Sequence, residues 1–178
     1  RSIPRSFNMG VSRDLFERVG GFAPMRFGED IDLSMRIIAV GGEPRLLPEA
    51  AVCHKRRTSL RSFFRQLYFS GVARINLTKR HPGSHKAVHL LPAAFTVGSL
   101  LCLGLAFVRP AFLLPLGLAA LVWCADSSLR NRSLRVGLLS AATSFVQLWG
   151  YGIGFLTGAW KRLVLKRTEA ETYRTNFF

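Results

Sequence analysis

The pattern of hydrophobic and polar positions changes halfway along this chain. Up to about residue 86, apolar residues recur every three or four positions between charged groups, which is the spacing of amphipathic helices. From residue 87 to residue 160 they form long runs with very few charges. The pattern therefore predicts a polar N-terminal half followed by an apolar, helical C-terminal half.

Short elements separated by Gly and Pro are predicted in the first 58 residues. Residues 1–11 have the pattern of a short strand and loop, and residues 50–54 that of a second strand. Helices are expected at about 13–19, after Ser12 as N-cap, and at about 30–40, before a pair of glycines. The first 58 residues are therefore expected to combine short strands with short helices.

A basic amphipathic helix is predicted over residues 59–80. Its apolar positions, from Leu60 to Ile75, follow helical spacing, and Arg and Lys occupy the positions between them. A helix of this kind typically lies in a membrane interface. Packing of its apolar stripe on a catalytic domain explains the same pattern, and one helix can do both.

Three apolar runs follow, at about 88–108, 111–125 and 136–160, and all three are expected to be embedded in a membrane. The first has 21 residues without a formal charge, enough to cross a hydrocarbon core of about 30 Å. The positive-inside rule places residues 1–86 in the cytoplasm. A third full span would put the basic residues after 160 outside, so the number of spans and the side of the C-terminus stay open.

Charge narrows the choice of partner. The chain has 25 Lys and Arg against 10 Asp and Glu, a formal net charge of +15. Such a balance favours nucleic acid, anionic lipid or a phosphorylated substrate, and beside apolar runs anionic lipid is the simplest partner. No common nucleic-acid motif is present, so no nucleic-acid partner is expected. The three cysteines show no paired spacing and are expected to be ordinary thiols.

An acidic pair, Glu29-Asp30, stands where a Gly- and Pro-rich loop meets the second predicted helix. A carboxylate at a helix N-terminus is stabilised by the helix dipole and by free backbone N–H groups. The loop can present it to a substrate, which suits a general base. Acidic residues in a first turn are also common as simple caps, and the pair alone does not decide between the two.

The surrounding sequence resembles a known enzyme family. After Asn8 come a small-residue segment, a short helix, Gly20-Gly21-Phe22, the acidic pair and a helix with Arg36. This order resembles the acceptor-side half of a family 2 glycosyltransferase, over roughly residues 5–85. The resemblance implies an α/β fold, the C-terminal part of a Rossmann-like GT-A domain, followed here by the helical membrane region. The Gln-x-x-Arg-Trp motif of processive members is absent, which argues against a cellulose- or chitin-synthase-like polymerase.

The resemblance also implies roles for individual residues. It makes Asp30 the catalytic base, with Glu29 beside it, and places a His at the position of His54, where it can lie near a metal–diphosphate site. Substrate contacts are expected from six residues: Asn8, Gly10, Gly21, Phe22, Arg36 and Arg56. The basic loop around Arg56 could neutralise a diphosphate leaving group, and a solvated or lipid-facing loop is the alternative.

These expectations combine into four regions. They are a partial catalytic domain (1–58), an interface helix and linker (59–86), membrane helices (87–160), and a basic then polar tail (161–178). The predicted function is an inverting, membrane-anchored glycosyltransferase for cell-envelope polysaccharide. Its catalytic part would face the cytoplasm at the inner membrane, and it would be multi-pass.

The expected substrates are a nucleotide-sugar donor and a lipid-linked or glycan acceptor, with Mg or Mn as cofactor. The nucleotide-binding half of the family and its Asp-x-Asp metal site have no counterpart here, because the only Asp-x-Asp belongs to the acidic helix. The main metal ligands are therefore expected outside this chain, and the chain alone, as a C-terminal fragment, is expected to be inactive. The competing interpretation is a non-catalytic membrane adaptor or transporter fragment with a basic, lipid-docking face.

Overall fold

A computed structural model describes residues 9–53 and 59–172, and in these ranges it contains helices and no strand. The chain divides into two compact units, one formed by residues 1–56 and 167–178 and the other by residues 57–166. The predicted α/β, Rossmann-like GT-A fragment is therefore wrong for the described residues. At the second predicted strand, residues 50–53 are exposed and irregular. A strand is stable only when its backbone groups pair with a neighbour, and the described part of the chain offers none.

The first unit contains two helices close to the predicted positions, and a short helix, α7, at Glu169–Thr172. Helix α1 spans Arg13–Arg18 and is capped by Ser12, whose Oγ accepts a hydrogen bond from the backbone N of Leu15 at 3.4 Å. Helix α2 spans Glu29–Ala39 and follows Gly28, which has a φ of 84°. Because this left-handed conformation strains any residue with a Cβ, glycine sets the start of α2.

The second unit is built from four long helices. Helix α3 spans Leu60–Arg80, and the Oγ of Ser59 caps it by accepting from the backbone N of Ser62 at 3.2 Å. The remaining three are α4 (Leu91–Ala106), α5 (Leu114–Asn131) and α6 (Leu134–Ala159), with short 3-10 turns before α4 and α5 and a π turn after α6. Long apolar runs thus form helices, as their length predicts.

Helices α3 and α6 pack side by side through glycines. A Cβ on Gly154 would overlap the carbonyl oxygen of Tyr68, and one on Gly158 would lie 3.1 Å from the Cα of Val72. From Gly154 to Gly158, four residues along α6, the contact moves from Tyr68 to Val72, four residues along α3. The two helices therefore run parallel here. A stripe of small residues allows two backbones to approach this closely.

Aromatic and polar side chains join α4, α5 and α6. The rings of Phe95, Trp123 and Phe145 contact one another with centroids 5.1 to 6.0 Å apart. Trp149 donates from Nε1 to the Oγ of Ser99 at 2.7 Å, which satisfies both groups inside the helix bundle. Polar groups in an apolar surrounding must find such internal partners.

Two described helical segments are long and apolar enough to cross a membrane. Ala87–Ala106 has a mean hydropathy of 1.8 and Pro110–Asn131 one of 1.6. Only 17% of the apolar window in the first segment is buried, and none in the second. A core helix of a soluble protein would hide its apolar side chains, so this exposure supports association with a membrane. The third predicted segment forms α6, which is not among these two.

Candidate active site

The acidic pair lies at the start of α2, in the predicted place. Glu29 and Asp30 are the first two residues of the helix and both are half-buried. The Oδ1 of Asp30 accepts a hydrogen bond from the backbone N of Ile31 at 2.8 Å. With Asp32, three carboxylates occupy the first turn, where the positive end of the helix dipole favours negative charge. The carboxylate of Asp30 therefore remains partly accessible at a fixed place.

Arg36 holds the loop before α2 against the helix. Its Nε and Nη2 donate to the Oδ2 of Asp32 at 2.9 and 2.8 Å, respectively. The same guanidinium donates to the carbonyl oxygen of Val19, and to that of Gly21 at 2.7 Å. Most of its five N–H donors are thus used by the protein itself. The predicted substrate contact of Arg36 stays a prediction, and the geometry gives Arg36 a positioning role.

Sequence reasoning missed Asp32, which is only 1% exposed. A buried carboxylate needs a partner, and Arg36 supplies it one helical turn later. The spacing of Asp and Arg by four residues on one helix was the available signal, since such residues lie on the same face. The sequence could not show that the pair is buried.

The glycine-rich loop has a shape that only glycine accepts easily. Gly20 and Gly21 have φ values of 76° and 65°. A Cβ on Gly21 would come within 3.1 Å of the ring of Phe16. Phe22 packs edge to face on that ring, with centroids 5.6 Å apart, and remains 49% exposed. An exposed aromatic ring on a fixed loop is suited to contact the apolar face of a sugar ring or another apolar surface.

Gly10 lines a different place, a cavity of about 260 Å³. The cavity also involves Ser34 and Ile37 of α2 and the segment 43–45, and its lining includes none of the acidic pair, Phe22 or Arg36. Ser34 reaches across to the Sδ of Met9 at 3.6 Å. The structure thus does not bring Gly10 and Asp30 together in one cavity.

Three predicted site residues, Asn8, His54 and Arg56, lie outside the described residues. Within residues 9–53 and 59–172, no group of three His, Cys, Asp or Glu side chains is arranged to hold a metal ion. Asp32 is also engaged by Arg36. The described residues therefore do not fit a divalent metal site.

Comparison with known proteins connects the chain to glycosyl transfer. It is 34% identical over 131 residues to pre-mycofactocin glycosyltransferases from two strains of Mycobacterium tuberculosis, CDC 1551 and H37Rv. The match includes 73% of this chain and 26% of each relative, so the chain spans about a quarter of the length of these relatives. No family model and no solved structure matches. The chain is thus similar to part of a glycosyltransferase.

Proposed function

We propose that this chain is part of a membrane-associated glycosyltransferase that moves a sugar from a nucleotide-activated donor to an acceptor hydroxyl. The similarity to pre-mycofactocin glycosyltransferases, 34% over 131 residues, carries the proposal. The family 2 assignment belongs to the proposal as well, on the order of the Gly-Gly-Phe and Glu-Asp elements. The chain by itself is proposed to be inactive.

Asp30 is the proposed general base. It would take the proton of the acceptor hydroxyl while the hydroxyl oxygen bonds to the anomeric carbon of the donor. The bond from that carbon to the nucleoside diphosphate breaks with its electron pair on the leaving group, and attack from the opposite face inverts the configuration. The half-buried place of Asp30 after a loop fixed by Arg36 supports this role, because a base must be held at a defined position.

The membrane half would keep the enzyme near its acceptor. Segments 87–106 and 110–131 are the proposed anchors in the inner membrane, with the catalytic part in the cytoplasm. A lipid-linked or glycan molecule is the proposed acceptor, on the resemblance to family 2 glycosyltransferases. Anionic lipid is a further proposed partner, because the net charge is +15. Mg or Mn is the proposed cofactor, with its main ligands expected outside this chain.

The substitution Asp30→Asn in the full-length protein tests the catalytic role. It keeps the shape of the side chain but cannot accept the proton, so transfer should fall by roughly 10²- to 10⁴-fold. The measurement is release of nucleoside diphosphate from a panel of nucleotide sugars, with cell membranes supplying the acceptor. Asp14→Asn is the matched control, since Asp14 is exposed in the first turn of α1. Asp30→Asn protein with wild-type turnover would rule out the proposed base.

A non-catalytic membrane adaptor is the second candidate, favoured by the basic charge and the exposed apolar helices. The variant Asp30→Asn distinguishes the adaptor from the enzyme. An adaptor predicts that Asp30→Asn changes neither membrane insertion nor cellular phenotype, whereas the enzyme predicts normal insertion with loss of transfer.

A further inference from the structure

Several buried polar atoms lie without a hydrogen-bond partner near the junction of α3 and α4. They are the Nε of Arg74, the Oγ of Ser84 and the Nδ1 of His85, all within the described part of the chain. Buried polar atoms in native proteins are nearly always paired, so such a group usually indicates a bound water, ion or ligand.

The three side chains belong to one neighbourhood. The ring of His85 lies 5.7 Å from that of His89, and Arg74 and His85 both interact electrostatically with His89. The backbone N of Lys86 donates to the Nδ1 of His89 at 3.1 Å, which fixes the connection between the loop and α4. The ring of His85 also lies 6.1 Å from that of Phe155, which shares a buried cluster with Ile75, the residue after Arg74. This part of α3 and the adjacent Ser84 and His85 therefore lie close to the 3-10 turn that precedes α4.

All three groups can donate hydrogen bonds to an anion. A guanidinium N–H, a hydroxyl and an imidazole N–H are common donors to phosphate oxygens. The unit that contains them, residues 57–166, has fourteen Lys and Arg residues but a single acid, Asp126. That carboxylate is bound by Arg130 at 2.8 Å. The negative charge that complements Arg74 is therefore not supplied by this unit.

We propose that Arg74, Ser84 and His85 bind a phosphate group, supplied by the headgroup of an anionic membrane lipid. The first candidate span begins at Ala87, directly after this cluster, so the cluster lies at the depth of the lipid headgroups. Arginine at such a depth keeps its charged end at the phosphates. The inference rests on the membrane association in the proposed function and is independent of glycosyl transfer.

Native mass spectrometry of the full-length protein in mild detergent tests this site. The probe is dioleoyl phosphatidylglycerol, and dioleoylglycerol, which lacks the phosphate, is the comparison lipid. Wild-type protein should retain the phospholipid, and Arg74→Gln should bind it roughly tenfold more weakly, because one charged donor is lost. Arg65→Gln is the matched control, since Arg65 is an exposed arginine on the same helix. It should bind like wild type.

Ser84→Ala and Arg74→Lys provide a second test in case Arg74→Gln does not fold, which circular dichroism would reveal. Ser84→Ala should weaken binding by a smaller factor, and Arg74→Lys should fall between wild type and Arg74→Gln. If inorganic phosphate binds with the same dependence on Arg74 and no lipid is enriched, the phosphate site stands but the lipid source is wrong. Equal losses in Arg74→Gln and Arg65→Gln, or equal retention of both lipids, would overturn the proposal.

Discussion

At the scale of single residues, the Asp32–Arg36 pair determines the shape of the loop that precedes the acidic pair. Asp32 is 1% exposed, and Arg36 connects it to the carbonyl oxygens of Val19 and Gly21. Removing the guanidinium would leave a buried carboxylate and two carbonyl groups without this donor. Losing one partner of a buried ion pair costs more stability than losing one partner of an exposed ion pair.

Arg36→Met should therefore destabilise the protein by about 3 kcal/mol, because it removes the ion-pair partner that Arg36 provides to the buried Asp32 carboxylate. Arg13→Met is the matched control. Arg13 also pairs with an acid four residues away, Glu17 at 2.8 Å, but the two side chains are 91% and 64% exposed. Its loss should cost about 0 to 1 kcal/mol. Urea unfolding of the full-length variants measures both values, and equal costs would contradict a buried, structural pair.

The features of the candidate site that depend on residues close together in the sequence could be predicted. The acidic first turn of α2 and the left-handed Gly20 and Gly21 follow from residue type and order. The partners of Arg36 do not, because the carbonyl groups of Val19 and Gly21 lie 17 and 15 positions away. Only the folded loop brings them to the guanidinium.

At the scale of elements, the glycines of α6 set how closely it approaches α3. Gly154 lies against the backbone of Tyr68, and Gly71 on α3 lies against the backbone of α6 near Tyr151. Backbone atoms cannot rotate away as a flexible side chain can. A single added methyl group must therefore move one helix.

Gly154→Ala should destabilise the α3–α6 pair by about 2 kcal/mol, the usual cost of overpacking. Gly98→Ala is the matched control in α4, because a Cβ there meets no atom within 4 Å. Alanine is the better helix former, so this change should be neutral or stabilise by up to about 1 kcal/mol. Thermal unfolding in detergent distinguishes the two variants. Similar melting temperatures would show that α6 does not need the close contact.

The predicted helices are present in the structure, whereas the strand predicted at residues 50–54 does not form at the described residues 50–53. Helices depend on local periodicity and caps, and α3, for example, begins after Ser59 as its sequence indicates. A strand depends on a partner that periodicity does not reveal. At residues 50–53 an apolar run typical of a strand remains irregular, and nearby Leu46 is 82% exposed.

At the scale of the whole molecule, the contact between α3 and α6 bears on membrane topology within the unit 57–166. Helix α3 carries exposed charges at Arg61, Arg65, Lys79 and Arg80, so it cannot lie in the hydrocarbon core. The second half of α6 runs parallel to it in backbone contact. We therefore expect that half of α6 to share the interfacial location predicted for α3, which would mean that α6 does not form a third full span.

This arrangement predicts that the chain after α6 emerges on the same side as α3. Single cysteines at Arg80, Arg109 and Lys166, in a background without native cysteines, test it with a membrane-impermeant maleimide. In intact cells only Arg109→Cys should react, because it lies between the two candidate spans. Arg80→Cys and Lys166→Cys should react only after permeabilisation, as expected for basic segments on the cytoplasmic side. Labelling of Lys166→Cys in intact cells would instead make α6 a third span and place the end of the unit outside.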